Sequence, residues 1–217
     1  MTDTNPTAVP PLPDSPVARN ALALVRRTES PATANHSVRS ALFAHLLADH
    51  RGARPGHDYD PELLFLACVL HDIGLTEAGD RHQRFEVDGA DLAAEFLTRE
   101  GLSSADVDAV WEAIALHTST GIAERRGTLC ALVHWGIGMD FGMDTDFVSD
   151  ATGAAIHTAH PRMSMATSLA DEITAQARRR PEKAPLFSIT AELLRERSTP
   201  PHTTQLEAHA SAGRWGN

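Results

Sequence analysis

His71 and Asp72 stand side by side at the end of a run, Leu63 to Leu70, that holds no polar residue. An imidazole and a carboxylate leaving the core together offer a nitrogen and an oxygen donor to a cation, or a capping pair to a helix end. In mid-helix, neighbours point about 100° apart at about 3.6 residues per turn. At a helix end the backbone can turn enough for both to reach one point, and Gly74 permits the stop. Asp140 extends the apolar stripe Leu129, Leu132, Val133 and Gly136. A carboxylate facing the core is costly unless it is paired or binds metal, so it pairs with a buried arginine or ligates an ion. His36 directly follows Asn35. His117 shares a face with Val110 and Ile114, the place of a satisfied core histidine or of a ligand.

These residues need helices to position them. Asp14-Ser15-Pro16 is a helix start, and the helix continues through Leu22, Leu24 and Val25. Asn35 is read as the cap of a second helix that runs to about His50, with His36 in its first turn. Asp60-Pro61-Glu62 starts the third, the buried central helix, which ends at His71. A fourth is expected from Val87 to Arg99, closed by Gly101. Ser103 caps a fifth, with Val107, Val110, Trp111 and Ile114 at helical spacing. The sixth covers Thr128 to Met139. At least two more are expected around residues 145–158 and 164–197. No alternating strand pattern is present, so the fold class is all-α, helix packed on helix.

The chain's 217 residues favour one domain, expected over residues 14–197. Residues 1–13, with four prolines, read as a disordered arm, and residues 198–217 as a flexible C-terminal tail in which Trp215 is an oddity. Net charge is −10, from 29 acidic and 19 basic residues, which argues against a nucleic-acid partner. Cys68 and Cys130 lie in apolar runs and read as buried free thiols. There is no signal-peptide pattern, and no apolar run nears the roughly 20 residues that span a bilayer. A cytoplasmic protein without a membrane partner is the expectation.

The motifs, taken together, resemble the HD-domain superfamily of metal-dependent hydrolases: an early His, a His-Asp doublet and a late Asp, all on helices. They fall on His36, His71-Asp72 and Asp140. The cyanamide hydratase-like branch is the closer likeness. It rests on Asn35-His36-Ser37-Val38-Arg39, on Leu70-His71-Asp72-Ile73-Gly74-Leu75-Thr76, and on Arg84-Phe85-Glu86-Val87-Asp88-Gly89-Ala90. Further matches are Ala113-Ile114-Ala115-Leu116-His117-Thr118-Ser119 and Gly138-Met139-Asp140-Phe141-Gly142.

That resemblance implies an HD-domain helical bundle with a metal held by His36, His71, Asp72 and Asp140. Two imidazoles and two carboxylates suit Zn²⁺, and equally Fe²⁺ or Mn²⁺. His82 and His117 are available for a second metal, but His82 lacks a helical setting, which favours one. Asn35 is a candidate for orienting substrate or water, or a plain cap. Glu86 and His117 are candidates for proton transfer, or partners of a liganding imidazole. Thr118 and Ser119 offer hydrogen bonds to substrate, or close the helix. Arg39 is expected to pair with Asp72 or Asp140, and small residues at Gly136 and Gly138 to admit substrate or a neighbouring helix.

The implied activity is addition of metal-activated water to a small nitrile- or cyanamide-like C–N group. The alternative is an HD phosphohydrolase acting on a phosphomonoester or nucleotide, with Arg81 and Arg84 holding phosphate. A non-catalytic HD-like binding module and a di-iron oxygenase are the remaining readings. The partner is a small-molecule substrate, and a homo-oligomer is expected.

Overall fold

The computed structural model describes residues 9–217. Its described residues form ten α-helices and no strand, which makes the fold all-α as expected. The helices are α1 (Pro16–Thr28), α2 (Pro31–His50), α3 (Pro61–Leu70), α4 (Phe85–Arg99) and α5 (Ser104–Leu116). After these come α6 (Thr128–Asp140), α7 (Asp150–Ala159), α8 (Met165–Arg179), α9 (Ile189–Arg197) and α10 (Gln205–Ala212). No helix among the described residues is long and apolar enough to cross a membrane.

The buried centre is α3, in which Leu64 through Leu70 are all inaccessible. Asp60 caps it by accepting the amides of Glu62 and Leu63, and Pro61 occupies its first turn. Around it, α2 and α6 run antiparallel: Ser40 and Ala44 face Gly136, while His36 faces Asp140. A Cβ on Gly136 would fall 2.6 Å from the Ala44 Cβ and 2.7 Å from the Ser40 carbonyl oxygen. Hydrogen at this position lets the two backbones approach closely enough for His36 and Asp140 to meet one turn further on. Gly74 does similar work beyond α3: a Cβ there would lie 2.0 Å from the Phe85 carbonyl oxygen. The 3₁₀ turn Ile73–Leu75 therefore lies directly on the start of α4.

Several boundaries differ from expectation. Helix α2 begins four residues before Asn35: the Ser30 hydroxyl accepts the Thr33 amide and Pro31 opens the helix, the same Ser-Pro signal that starts α1. Asn35 is thus inside the helix, not its cap. Helix α4 starts at Phe85, two residues early, and α7 starts at Asp150 behind its Ser149 cap. The 164–197 region is two helices. Arg180 leaves helical geometry, a 3₁₀ turn covers Pro181–Lys183, and Lys183 is buried against Asp88 and the Gly79 carbonyl.

The ends differ more. Of the expected arm, residues 1–8 lie outside the described residues, while Val9 and Leu12 pack on the core. The expected flexible tail at 198–217 is seated on the body. Thr204 and Glu207 form a capping box for α10, and Glu207 pairs with Arg197 at the end of α9. Trp215 stacks on Phe43, ring centroids 5.7 Å apart, and donates its Nε1–H to the Met139 carbonyl at 2.8 Å. Gly153 makes room, since a Cβ there would sit 2.6 Å from the indole. The capping box, the indole, and bonds from Arg214 to the Thr145 carbonyl and Asp150 together hold a segment whose composition is otherwise small and polar.

Candidate metal centre

The junction after α3 delivers the doublet. His71 is the C-cap residue of α3, and Asp72 follows it into the 3₁₀ turn, so their side chains converge instead of diverging along a helix. His36, from α2, meets them. His71 Nε2 is 3.1 Å and His36 Nε2 3.9 Å from Asp72 Oδ2, and the donor atoms of all three lie within 4.8 Å of one another. All three side chains are buried.

Hydrogen bonds on the far nitrogens decide what these rings offer. His71 Nδ1 lies 2.7 Å from the Cys68 carbonyl. A carbonyl only accepts, so Nδ1 carries the proton and the neutral ring presents a lone pair at Nε2. His36 Nδ1 donates to Asp140 at 2.7 Å, which leaves its Nε2 in the same state. With both rings neutral, two imidazole lone pairs and a carboxylate oxygen face one another with no donor between them. A shared cation resolves that arrangement, and the nitrogen and oxygen donors suit a divalent metal such as zinc, iron or manganese. Burial pulls the His71 pKa down, but Asp72 beside it outweighs burial and holds it above its ordinary value, which without an ion favours a proton on Nε2 facing Asp72; a bound cation takes that proton's place. Burial likewise works to raise the Asp72 carboxyl, yet His71 and His36 keep it well below the carboxylate range. Burial pushes His36 down, so its ring stays neutral.

Asp140 corrects the expected ligand set. It stands behind His36, on the Nδ1 side, and does not join the trio. Arg39 grips it with two bonds of 2.7 Å, Nε to Oδ1 and Nη2 to Oδ2. Arg162 adds a third bond at 3.2 Å, and His157 approaches to 3.8 Å. Burial would raise its pKa, but Arg39, His157 and His36 hold it well below the usual value. The fully buried Arg39 also donates to the carbonyls of His160 and Pro161. Asp140 is therefore a carboxylate that orients a donor imidazole and fixes its tautomer. The stripe that pointed to a buried charge was right; its partner is the arginine.

The other candidates separate. His117 ends α5 with its ring 4.9 Å from that of His71, edge to face. Its Nδ1 bonds the Ile114 carbonyl, so its Nε2 also bears a lone pair. Burial, reinforced by His71, pushes its pKa down to about 4, and it is neutral near pH 7. Glu86 is fully buried and does not line the cavity. Burial would raise its pKa, but Arg84, His117 and Thr118 lower it, so it is an anion and not a proton donor. The Thr118 hydroxyl donates to Glu86 at 2.7 Å and accepts from Arg84 at 3.3 Å, which leaves one lone pair of its oxygen for a further donor. Asn35 donates to the Pro161 carbonyl at 2.9 Å and is absent from the lining. His82 is exposed beside Glu182, away from the trio.

A cavity of about 190 Å³ opens on the trio. Besides the trio, its polar lining is His117, Thr118, Thr120 and His134. His134 was missed in the sequence; its Nδ1 bonds the His117 carbonyl at 2.7 Å, a contact that no spacing signals. The rest of the lining is apolar and comes from Phe85, α6 and the C-terminal helices. A second unforeseen group is Glu29, at the end of α1. Burial, then Asp72 and Glu172, raise its pKa well above the usual range.

Comparison with known proteins fits this geometry. The HD-domain family model matches residues 33–166, which takes in the trio, Asp140 and His117. Two curated proteins of Saccharomyces cerevisiae, cyanamide hydratase DDI2 and cyanamide hydratase DDI3, are each 31% identical to this chain. Each alignment covers 81% of this chain and 79% of the relative.

Proposed function

This chain belongs to the HD-domain family, and from that premise we propose that it is a metal-dependent hydratase adding water across the triple bond of a small nitrile- or cyanamide-like molecule. His36, His71 and Asp72 hold the metal. A divalent ion there supplies Lewis acidity, which lowers the pKa of water from about 16 to about 7.

The chain's own residues do the rest. Asp140 and the Cys68 carbonyl keep both donor imidazoles in the tautomer that turns Nε2 inward. His117, with its Nδ1 committed to the Ile114 carbonyl, accepts the proton of the attacking water at Nε2. As the C–O bond forms and one π pair moves onto nitrogen, His117 returns that proton to the nitrogen. The resulting imidic acid becomes an amide by a further proton shift; from cyanamide the product is urea. Thr118, held by Glu86, accepts a hydrogen bond from an N–H of the substrate.

The observation that carries this reading is the trio of inward lone pairs at the floor of a cavity that no lysine or arginine lines. The same observation weighs against phosphate esters, which want cations beside the metal. Arg81 is engaged with Glu95 and Arg84 with Glu86. The test is urea formation from cyanamide, lost on chelation and restored by zinc, iron or manganese. Release of phosphate from a phosphomonoester with no urea formed would replace this reading with the phosphohydrolase one.

A further inference from the structure

The cavity is larger and drier than cyanamide requires. A molecule of that size displaces about two waters, or about 60 Å³, whereas the space above the trio is about 190 Å³. A cavity of about 150 Å³ lined by aliphatic and aromatic side chains already admits benzene. Of its apolar lining, Phe85 and Phe141 lie against the His117 and His36 rings, and further side chains are Leu169, Ile173, Ile189 and Leu206. The last four sit on α8, α9 and α10, beyond the segment that the HD-family model matches. Thus the candidate metal site lies in the family-matched part, and later helices supply half of the apolar side chains in the cavity wall. No charged side chain meets a substrate on that wall, so an ionic substituent placed there would lose its hydration without compensation.

We infer that the substrate is a C≡N compound bearing an uncharged hydrocarbon group of butyl to phenyl size, an N-substituted cyanamide or the corresponding nitrile. The triple bond sits at the trio and the hydrocarbon group against the α8–α10 wall. This inference rests on the hydration reading for its reactive group and on the cavity for its substituent.

The experiment follows cyanamide, N-ethyl-, N-butyl- and N-phenylcyanamide in two ways: kcat/KM with the metal-loaded protein, and affinity by calorimetry with the metal-free protein. Each buried methylene is expected to raise both about fourfold, up to butyl. Ile173→Phe and, as a more exposed second position, Ile189→Trp narrow the wall. Each should lower the N-butyl to cyanamide ratio by tenfold or more. Turnover of cyanamide with no gain along the series, in rate or affinity, overturns the inference and keeps the hydration reading. No turnover of any compound, with affinity still rising along the series and falling in the variants, overturns the hydration reading and keeps the apolar-substituent preference.

Discussion

A buried histidine becomes a metal donor or a core residue according to which nitrogen is committed, and His36 and His71 commit Nδ1. Asp140→Asn weakens the bond that orients His36 but leaves the trio intact. Metal affinity should fall about 10- to 100-fold, read by competition with a chromogenic chelator; undetectable binding would make Asp140 a ligand after all. Arg39→Ala removes two of the three guanidinium bonds to the buried Asp140 carboxylate and leaves Arg162 as its remaining cationic partner, and a loss of about 3 kcal/mol in denaturant unfolding is expected. The doublet was legible because it closes an otherwise apolar helix, and Asp140 because it interrupts an apolar stripe. The role of Asp140 was not legible, since a core-facing carboxylate looks the same whether its partner is an ion or Arg39. Glu86 misled for a similar reason: sequence shows a carboxyl, while Arg84 and Thr118 decide that it stays ionised.

Helix placement was readable at Ser15-Pro16 and Asp60-Pro61, where a cap and a proline coincide. Asn35 was mistaken for a cap because the Ser30-Pro31 signal stands further upstream. The antiparallel seam between α2 and α6 was hinted at by Gly136 alone. Gly136→Val should push α6 away from α2, costing on the order of 1–3 kcal/mol or more and reducing metal uptake, because His36 and Asp140 meet along that seam. A second element, α10, is held through Glu207. Burial would raise its pKa, but Arg197 and Thr204 outweigh burial and bring it from 4.5 to about 2. Its contribution is therefore complete above pH 4.5 and lost as pH falls toward 2, on the order of 3 kcal/mol. The difference in melting temperature between wild type and Glu207→Gln should be largest near neutral pH and close as pH approaches 2.

On the scale of the whole chain, the C-terminal segment was the least legible part. Its small polar residues give no periodic pattern, and its anchoring depends on a pocket assembled by Phe43, Gly153 and His157 from distant helices. Trp215 touches His157, which in turn approaches Asp140, so the tail closes the support behind the metal trio. Trp215→Ala should cost about 3 kcal/mol in thermal or denaturant unfolding; an unchanged midpoint would mean that the tail does not dock. All of this organisation converges on one proposed property of the intact protein, the binding of a divalent ion by His36, His71 and Asp72. Elemental analysis of wild type and of His71→Ala, each purified after growth with zinc, iron and manganese, measures it directly. About one metal per wild-type chain, lost in a variant that keeps its helical circular dichroism, is the expected result. A wild-type protein that binds no metal from any of the three would contradict it.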